Sequence, residues 1–201
     1  KKELQDYIRM ISSSVENVIG LMENVLRWSQ SQWQGIIIQP TTINLYHIAN
    51  ECLRLLKPHA QQKGIMLYND IPPATYAFAD YQTVDLVVRN LLSNAVKFTN
   101  AGGIIRIRAV ERDDSIDTVI EDTGVGISNE QLNRLFSAAG ITTTGTDNEQ
   151  GAGLGLILCK EFIEKNGGTL RIDSEFGKGT TVTFSLPRIR EAIPQERSTA
   201  G

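Results

Sequence analysis

Cysteine and long apolar runs are scarce in this chain. Its 201 residues include two cysteines, Cys52 and Cys159, which lie far apart in helix-like contexts and predict core filling in a reducing, cytoplasmic compartment rather than a disulfide framework. No apolar stretch approaches the ~20 residues of a membrane-spanning helix, so no membrane segment is expected. The net charge of −3 provides no basic excess for nucleic acid.

The beginning of the chain is free of proline up to position 31 and has a single glycine, Gly20. Its apolar residues recur at steps of four and three, at Leu4, Ile8, Ile11, Val15, Val18, Met22 and Val25. A second apolar stripe lies beside this heptad seam. A face this wide predicts a long bundle-type α-helix over 1–34, whose partners come from another chain or from other residues.

Residues 35–187 predict an α/β domain of roughly 150 residues. A strand is expected over 35–40, and an amphipathic helix from Asn44 to about Lys63, with Leu55 facing inward and Pro58 ending or kinking the helix. Further strands are expected at 65–71, 76–79, 103–111, 116–121 and in a last hairpin over 169–187; further helices are expected at 80–99, at 129–136 and after 155.

The strands come in hairpin-like pairs with few regular βαβ units. The fold class is therefore α+β, a two-layer sandwich with a mixed, largely antiparallel sheet and helices on one face. The polar residues 188–201 predict a flexible tail.

The stretch "GAGLGL" places Gly151, Gly153 and Gly155, with Leu154 between the last two, directly before a predicted helix. The free N–H groups and the dipole of a helix N-terminus favour an anion, and glycine lets the backbone approach a phosphate closely. The spacing does not match the dinucleotide fingerprint, and no Gly-Lys-Ser/Thr occurs, so any phosphate site is of another kind.

The helix "VDLVVRNLLSNAVKFT" carries polar residues that are unusual for an idle surface. Its buried stripe is predicted at Val84, Val88, Leu91 and Ala95. At about 100° per residue, Asn90, Asn94 and Lys97 share the opposite side. Asparagine is a poor helix former, but its neutral oxygen can ligate a hard cation such as Mg²⁺, and a lysine supplies charge for phosphate.

The stretch "EDTGVG" ends a predicted strand with Asp122, followed by Gly124 and Gly126. A carboxylate beside bare backbone can accept a hydrogen bond from the exocyclic amine of a base. Asp-Thr-Gly also occurs in aspartic proteases, which need two such carboxylates side by side. This chain has one copy, so that alternative requires a homodimer.

In combination, the segments "NLLSNAVKFT", "DTGVGI", "GAGLGLILCKEFIEKNGG" and "SEFGKGTTVTFSLP" resemble the ATP-binding domain of sensor histidine kinases. That domain belongs to the superfamily shared with type II topoisomerases, heat-shock chaperones and mismatch-repair proteins, and it has the sandwich called the Bergerat fold. The resemblance covers about 36–187. The preceding helix resembles the second helix of the dimerisation and phosphotransfer domain.

The resemblance implies that ATP lies between the helices and the sheet. Asp122 would accept from the adenine amino group, with Gly124 and Gly126 under the ring and Thr180 supporting the adenine site. Residues 137–150 would form a lid over the nucleotide. This lid has no Lys or Arg, a departure from the family pattern.

The resemblance also implies the phosphate contacts. Asn94 would ligate Mg²⁺ with the help of Asn90, and Lys97 would contact phosphate. The remaining phosphate ligands would come from the glycine loop, at Gly151, Gly153, Leu154 and Gly155.

Hydrolytic members of the superfamily carry a glutamate base where this chain has Asn90, so transfer to a protein histidine is expected instead of hydrolysis. In the kinases that histidine lies on a helix of the dimerisation domain, with an acidic neighbour. His47 and His59, the only histidines here, lack such a neighbour. The chain is therefore expected to bind Mg-ATP without phosphorylating itself.

The implied partners are the phosphoacceptor domain of the same protein, a response-regulator receiver domain and a second copy in a homodimer. Two alternatives stay open. One is a non-catalytic ATP-binding or docking module of the same fold. The other is a serine/threonine kinase of the superfamily, which the long N-terminal helix disfavours.

Overall fold

The computed structural model describes residues 37–135, 145–146 and 155–189. The helix predicted over 1–34, most of the predicted lid and the tail beyond residue 189 lie outside the described residues. The domain boundaries proposed from the sequence therefore stay predictions.

The described part of the chain forms seven strands and four helices. In order they are β1 (Thr41–Asn44), α1 (Leu45–Gln62), β2 (Met66–Asn69), β3 (Tyr76–Ala79), α2 (Tyr81–Phe98), β4 (Ile104–Glu111), β5 (Ser115–Asp122), α3 (Asn129–Arg134), α4 (Gly155–Lys165), β6 (Leu170–Glu175) and β7 (Gly179–Pro187).

The main sheet has the strand order β2-β4-β5-β7-β6, in which β2 and β4 are parallel and the other pairs antiparallel. β1 and β3 form a separate antiparallel pair. The inner face of the sheet contributes seven buried side chains to the core: Ile105, Ile107, Ile116, Ile120, Val182, Phe184 and Leu186. The outer face carries ion pairs such as Arg108 with Glu121. The predicted α+β sandwich is confirmed.

Helix α2 lies at the centre of the helical layer, where it packs against α1 and α4. Asp80 caps its N-terminus, because the carboxylate accepts a hydrogen bond from the Thr83 N–H at 2.9 Å; such caps contribute about 1 kcal/mol. The predicted buried stripe is confirmed, with Val84, Val88, Leu91 and Ala95 all at most 4% exposed. Burying that stripe turns the asparagine side of the helix away from the core.

The strand predicted over 35–40 is wrong where the structure describes it. Residues 37–40 have no regular structure, and β1 begins at Thr41. Pro40 has no N–H to donate to a ladder. The Gln39 N–H instead bonds to the Asp80 carboxylate at 3.1 Å, which ties the chain to the start of α2.

Two details of α1 also differ from expectation. The helix continues through Pro58 to Gln62, so of the two effects expected of this proline, an end or a kink, the end is excluded. Packing against α2 outweighs the one hydrogen bond that proline removes. Leu55, predicted to face inward, is 49% exposed, and Leu53 is buried in its place. Leu53 lies nearer to the centre of the face defined by Ala49 and Cys52.

Candidate nucleotide-binding site

The C-terminal half of α2 presents two amides and an ammonium group within two turns. The Asn94 side-chain amide donates to Asn90 Oδ1 at 3.3 Å, and both side chains are half-buried. Lys97 Nζ lies 4.8 Å from the ring centroid of Phe98. The structure therefore brings the two asparagines together, and Lys97 follows Asn94 by three residues on the same helix.

The N-terminus of α4 adjoins this face of α2. A Cβ atom placed on Gly155 would lie 2.6 Å from Asn90 Oδ1, so only a bare backbone fits there without displacing the amide. Gly155 begins an 11-residue helix, whose first N–H groups have no partner within the helix. An anion held beside Asn90 would meet those groups. Gly151, Gly153 and Leu154 lie outside the described residues.

Asp122 ends β5 with a carboxylate that is held by two backbone groups. Its Oδ1 accepts from the Gly124 N–H at 2.8 Å and from the Thr180 N–H at 3.3 Å. Among the described residues no donor bonds to Oδ2, so this oxygen is available to a ligand. Burial raises the pKa of Asp122 to about 6, because the loss of hydration outweighs the two hydrogen bonds.

The turn after Asp122 is packed between α2 and the β6–β7 hairpin. The Val125 N–H donates to the Phe98 carbonyl at 3.0 Å, and a Cβ on Gly124 would overlap that same carbonyl. Gly126 has φ of 66°, and a Cβ there would overlap the Glu175 carbonyl. Both glycines are therefore required by close backbone approach.

Thr180 lies directly opposite Asp122 in the β5–β7 register. Its hydroxyl is 3.0 Å from Ser174 Oγ, which also contacts the Gly179 carbonyl at 2.8 Å and accepts from the Ile127 N–H at 2.9 Å. Ser174 was not identified from the sequence, because its bond from the Ile127 N–H joins segments 47 residues apart. It joins the Asp122 turn to the hairpin behind it.

Phe98 connects the two groups of residues. It is the last residue of α2, one turn after Asn94, and its carbonyl holds the turn that follows Asp122. Two segments that carry predicted nucleotide residues, the start of α4 and the turn after Asp122, thus adjoin the C-terminal half of a single helix. The sequence does not reveal the role of the Phe98 carbonyl, because every residue has a backbone carbonyl and no residue type marks this one.

The residues present fit a magnesium ion bound mainly through phosphates. The described part of the chain contains no group of three or more His, Cys, Asp or Glu side chains that could hold a metal ion by themselves. Mg²⁺ commonly takes one or two protein oxygens together with phosphate oxygens and water. The half-buried amides of Asn90 and Asn94 can supply such oxygens.

None of the helices in the described ranges combines the length and the apolar character needed to cross a bilayer. The fold and the clustered residues define the class of protein, a nucleotide-binding α/β sandwich. Residues 79–190 match the model of the family described as "Histidine kinase-, DNA gyrase B-, and HSP90-like ATPase". The chain belongs to this family, and its ATP-binding domain is of the histidine kinase type.

Curated relatives include the Non-motile and phage-resistance protein of Caulobacter vibrioides, 36% identical over 90% of this chain and 22% of its own length. The Histidine protein kinase DivJ of the same organism is 33% identical over 90% of this chain and 31% of its own length. The chain thus spans less than a third of either relative. The nucleotide-free catalytic domain of histidine kinase ThkA superposes with a TM-score of 0.65 at 25% identity, over 75% of this chain and 96% of that one.

Proposed function

We propose that this chain binds Mg-ATP for transfer of the γ-phosphoryl group to a histidine, as the catalytic domain of a sensor histidine kinase in two-component signalling. One observation supports the proposal above others. Asn90 and Asn94 lie in the C-terminal half of α2, and two segments distant in sequence adjoin it, Gly155 beside Asn90 and the turn after Asp122 at the Phe98 carbonyl.

The purine side of the site comprises Asp122, Gly124, Gly126 and Thr180. Oδ2 of Asp122 accepts a hydrogen bond from the exocyclic amine of adenine. The two backbone N–H groups that donate to Oδ1 fix the orientation of the carboxylate. The two glycines let the turn pack closely against the carbonyls of Phe98 and Glu175, which fixes the backbone beside the purine. Thr180 and its hydroxyl contact with Ser174 support the carboxylate from the neighbouring strand.

The phosphate side comprises Asn90, Asn94, Lys97 and Gly155. The two amides hold Mg²⁺, which neutralises charge on the phosphates when bound. Lys97 adds a positive charge, and the N-terminal amides of α4 bind phosphate oxygens, together with the glycine-loop residues Gly151, Gly153 and Leu154. Asn90 cannot accept a proton from water, so the site favours transfer to a protein side chain over hydrolysis.

The acceptor in this proposal is a histidine on the dimerisation domain, and the phosphoryl group then passes to a response-regulator receiver domain. His47 and His59 are exposed on α1, outside the elements that form the site. The protein acts as a homodimer in the cytoplasm. These partners rest on the kinship with histidine kinases rather than on any contact within the described residues.

Nucleotide binding is tested by thermal unfolding with ATP and Mg²⁺. At a hundredfold excess over Kd, ATP should stabilise the chain by about 2.7 kcal/mol. Asn94→Leu should remove the dependence on Mg²⁺ and leave a weak residual shift. Arg89→Ala is a matched control on the same helix, since Arg89 is exposed and paired with Asp85, and it should behave as wild type. Equal magnesium dependence in wild type and Asn94→Leu would exclude the metal role.

The transfer step is tested by adding a separate fragment that carries the acceptor-histidine helix of the full-length protein, with labelled ATP. Acid-labile phosphohistidine on that fragment is the expected product. Tight ATP binding without any transfer would instead identify a non-catalytic binding module.

A further inference from the structure

Asn166 directly follows α4 and is a buried polar residue, only 6% exposed. Its side-chain amide donates to the Thr83 hydroxyl at 2.9 Å and to the Phe162 carbonyl at 2.8 Å. Its Oδ1 accepts from the Asp80 N–H at 2.7 Å. Both N–H bonds of the amide and its oxygen are thus in use. Asn166 therefore ties the C-terminal end of α4 to the N-terminal end of α2.

The same two helices meet a second time, at the proposed phosphate side. Gly155, the first residue of α4, lies against Asn90, because a Cβ placed on it would be 2.6 Å from Asn90 Oδ1. Asn90 follows the Asp80 cap by ten residues along α2, and Gly155 precedes Asn166 by eleven residues along α4. At the rise of an α-helix these lengths are about 15 Å and about 16 Å. The two helices are therefore antiparallel, with both contact points in register.

The contact between α2 and α4 is apolar between these two points. Four of its side chains are at most 2% exposed in the common core: Val87, Leu91, Leu158 and Phe162. Apolar burial is non-directional, so it holds two helices together without selecting one axial position. The hydrogen bonds of a buried amide are directional, and a slide of α4 would leave the amide unpaired. A buried asparagine sets the register of coiled-coil helices for the same reason.

The turn after Asn166 fastens this end of α4 to the sheet. Gly167 has φ of 79°, and a Cβ on Gly168 would overlap the Ser185 carbonyl of β7. The Gly168 N–H donates to the Ile163 carbonyl at 2.9 Å, which closes the helix. The C-terminal end of α4 is thus its fixed end. The place of its first N–H groups follows from this end, because the helix between them is continuous.

We propose that Asn166 is a positioning residue of the phosphate side. Its bonds to Thr83 and Asp80 set the axial position of α4 along α2, which places the first N–H groups of α4 beside Asn90. The inference rests on the proposed function, since that function assigns those N–H groups to phosphate. Asn166 lies at the opposite end of α4 and does not touch the nucleotide. A slide of α4 by one residue would displace the N–H groups by about 1.5 Å, which is about half the length of a hydrogen bond.

The test compares the Kd of Mg-ATP with the Kd of adenosine, which has no phosphate, for the whole chain by calorimetry. Asn166→Leu should raise the Kd of Mg-ATP about tenfold and that of adenosine less than about twofold. Thr83→Val should raise the Kd of Mg-ATP about threefold, because it removes one of the bonds to Asn166. The double variant should bind Mg-ATP no worse than Asn166→Leu alone, since both changes break the same contact. Thr83→Ser keeps the hydroxyl and should bind as wild type.

Asn69→Leu is a matched control on the other side of the helical layer. The Asn69 amide donates to Asn50 Oδ1 of α1 at 2.8 Å, and its Oδ1 accepts from the Ile71 N–H at 3.1 Å. Loss of these bonds should lower the unfolding temperature and leave both Kd values unchanged. The control therefore separates the loss of an amide network from a change in the position of α4.

Nuclear magnetic resonance provides a readout without nucleotide. The backbone amide resonance of Gly155 and the side-chain amide resonance of Asn90 should both shift in Asn166→Leu and in Thr83→Val, and neither should shift in Asn69→Leu. Thr83→Val leaves the Asn166 bonds to Phe162 and the Asp80 N–H in place, so it remains informative if Asn166→Leu folds poorly.

Unshifted resonances in both variants would overturn the positioning role. So would a lower unfolding temperature with an unchanged ratio of the two Kd values, which would show a structural role alone. If wild type does not bind Mg-ATP, the proposed function itself fails. The resonances then decide separately whether Asn166 sets the position of α4.

Discussion

The proposed purine side and the proposed phosphate side of the site differ in how their residues are held. Asp122 and Thr180 are paired in a sheet register, and the carboxylate is held by two backbone N–H groups. Asn90 and Asn94 sit on one helix, and their amides bond mainly to each other. The purine side is therefore complete in the folded domain. The proposed phosphate side presents side-chain amides and helix N–H groups whose partner would be the nucleotide.

The difference teaches that selectivity and affinity have separate origins here. A carboxylate whose orientation is fixed by its neighbours can distinguish a base with an amine from a base with a carbonyl oxygen. It accepts a hydrogen bond from the amine and cannot rearrange to suit the carbonyl oxygen as well. Side-chain amides and helix N-termini accept any polyphosphate. Changes on the purine side should alter which base binds, and changes on the phosphate side should alter how tightly any triphosphate binds.

The largest effect is expected for Asp122→Asn, which should weaken ATP binding about a hundredfold or more by removing the acceptor for the adenine amine. Inosine triphosphate carries a carbonyl in place of that amine, so the variant should lose much of the preference for ATP over inosine triphosphate. Calorimetry with both nucleotides measures the ratio. An unchanged ratio would show that Asp122 does not contact the base.

The same substitution should stabilise the nucleotide-free protein. The pKa of Asp122 is raised by burial to about 6, so the ionised group costs stability at neutral pH, on the order of 1–3 kcal/mol. Asparagine keeps an acceptor for the Gly124 N–H without carrying the charge. Urea unfolding at pH 7 should show the higher free energy of unfolding of the variant. At pH 4 the difference between the variant and the wild type should be small. A loss of stability at pH 7 would contradict the burial argument.

A smaller effect is expected from pH. Between pH 7 and pH 5 the Asp122 carboxyl takes up a proton on Oδ2, which turns the acceptor into a donor, and the Kd of ATP should rise about tenfold. The contribution of Asp122 to folding stability changes in the opposite direction. It is fully present below the unfolded pKa and is lost as the pH rises through about 6. Inosine triphosphate should show a weaker pH dependence over the same range.

Gly155→Ala tests the phosphate side. The new methyl group would meet Asn90 Oδ1, and the flexible amide would move away. The affinity for ATP should therefore fall several-fold, up to about tenfold. The free energy of unfolding of the nucleotide-free protein should change by less than about 1 kcal/mol. In an Asn90→Ala background the substitution should cause no further loss. An additional loss there would indicate that Gly155 acts through its own backbone. Nucleotide titrations of the four proteins complete the cycle.

The smallest effect is expected on the outer face of the sheet, away from both sides of the site. Arg108 pairs with Glu121 at 2.9 Å, and both side chains are more than a third exposed. Arg108→Ala should therefore change the free energy of unfolding by less than about 1 kcal/mol and leave the Kd of ATP unchanged. A large change in Kd would extend the site across the sheet.

Local patterns predicted most elements, and they singled out several residues of the proposed site. The buried stripe of α2 is confirmed, and the asparagines that this stripe turns away from the core do lie together. The prediction that Leu55 faces inward failed, because packing against α2 decides which face of α1 is covered, and that packing also lets the helix continue through Pro58. The strand predicted over 35–40 failed for lack of a pairing partner.

The sequence by itself determined the periodic faces, the caps and the residue types able to bind a nucleotide, because these depend on neighbours within a few positions along the chain. Only the tertiary structure decided that Thr180 faces Asp122, that the Phe98 carbonyl holds the turn and that Asn166 reaches Thr83. Each of these contacts joins segments far apart in sequence. They arise from strand register and helix packing, which no local pattern records.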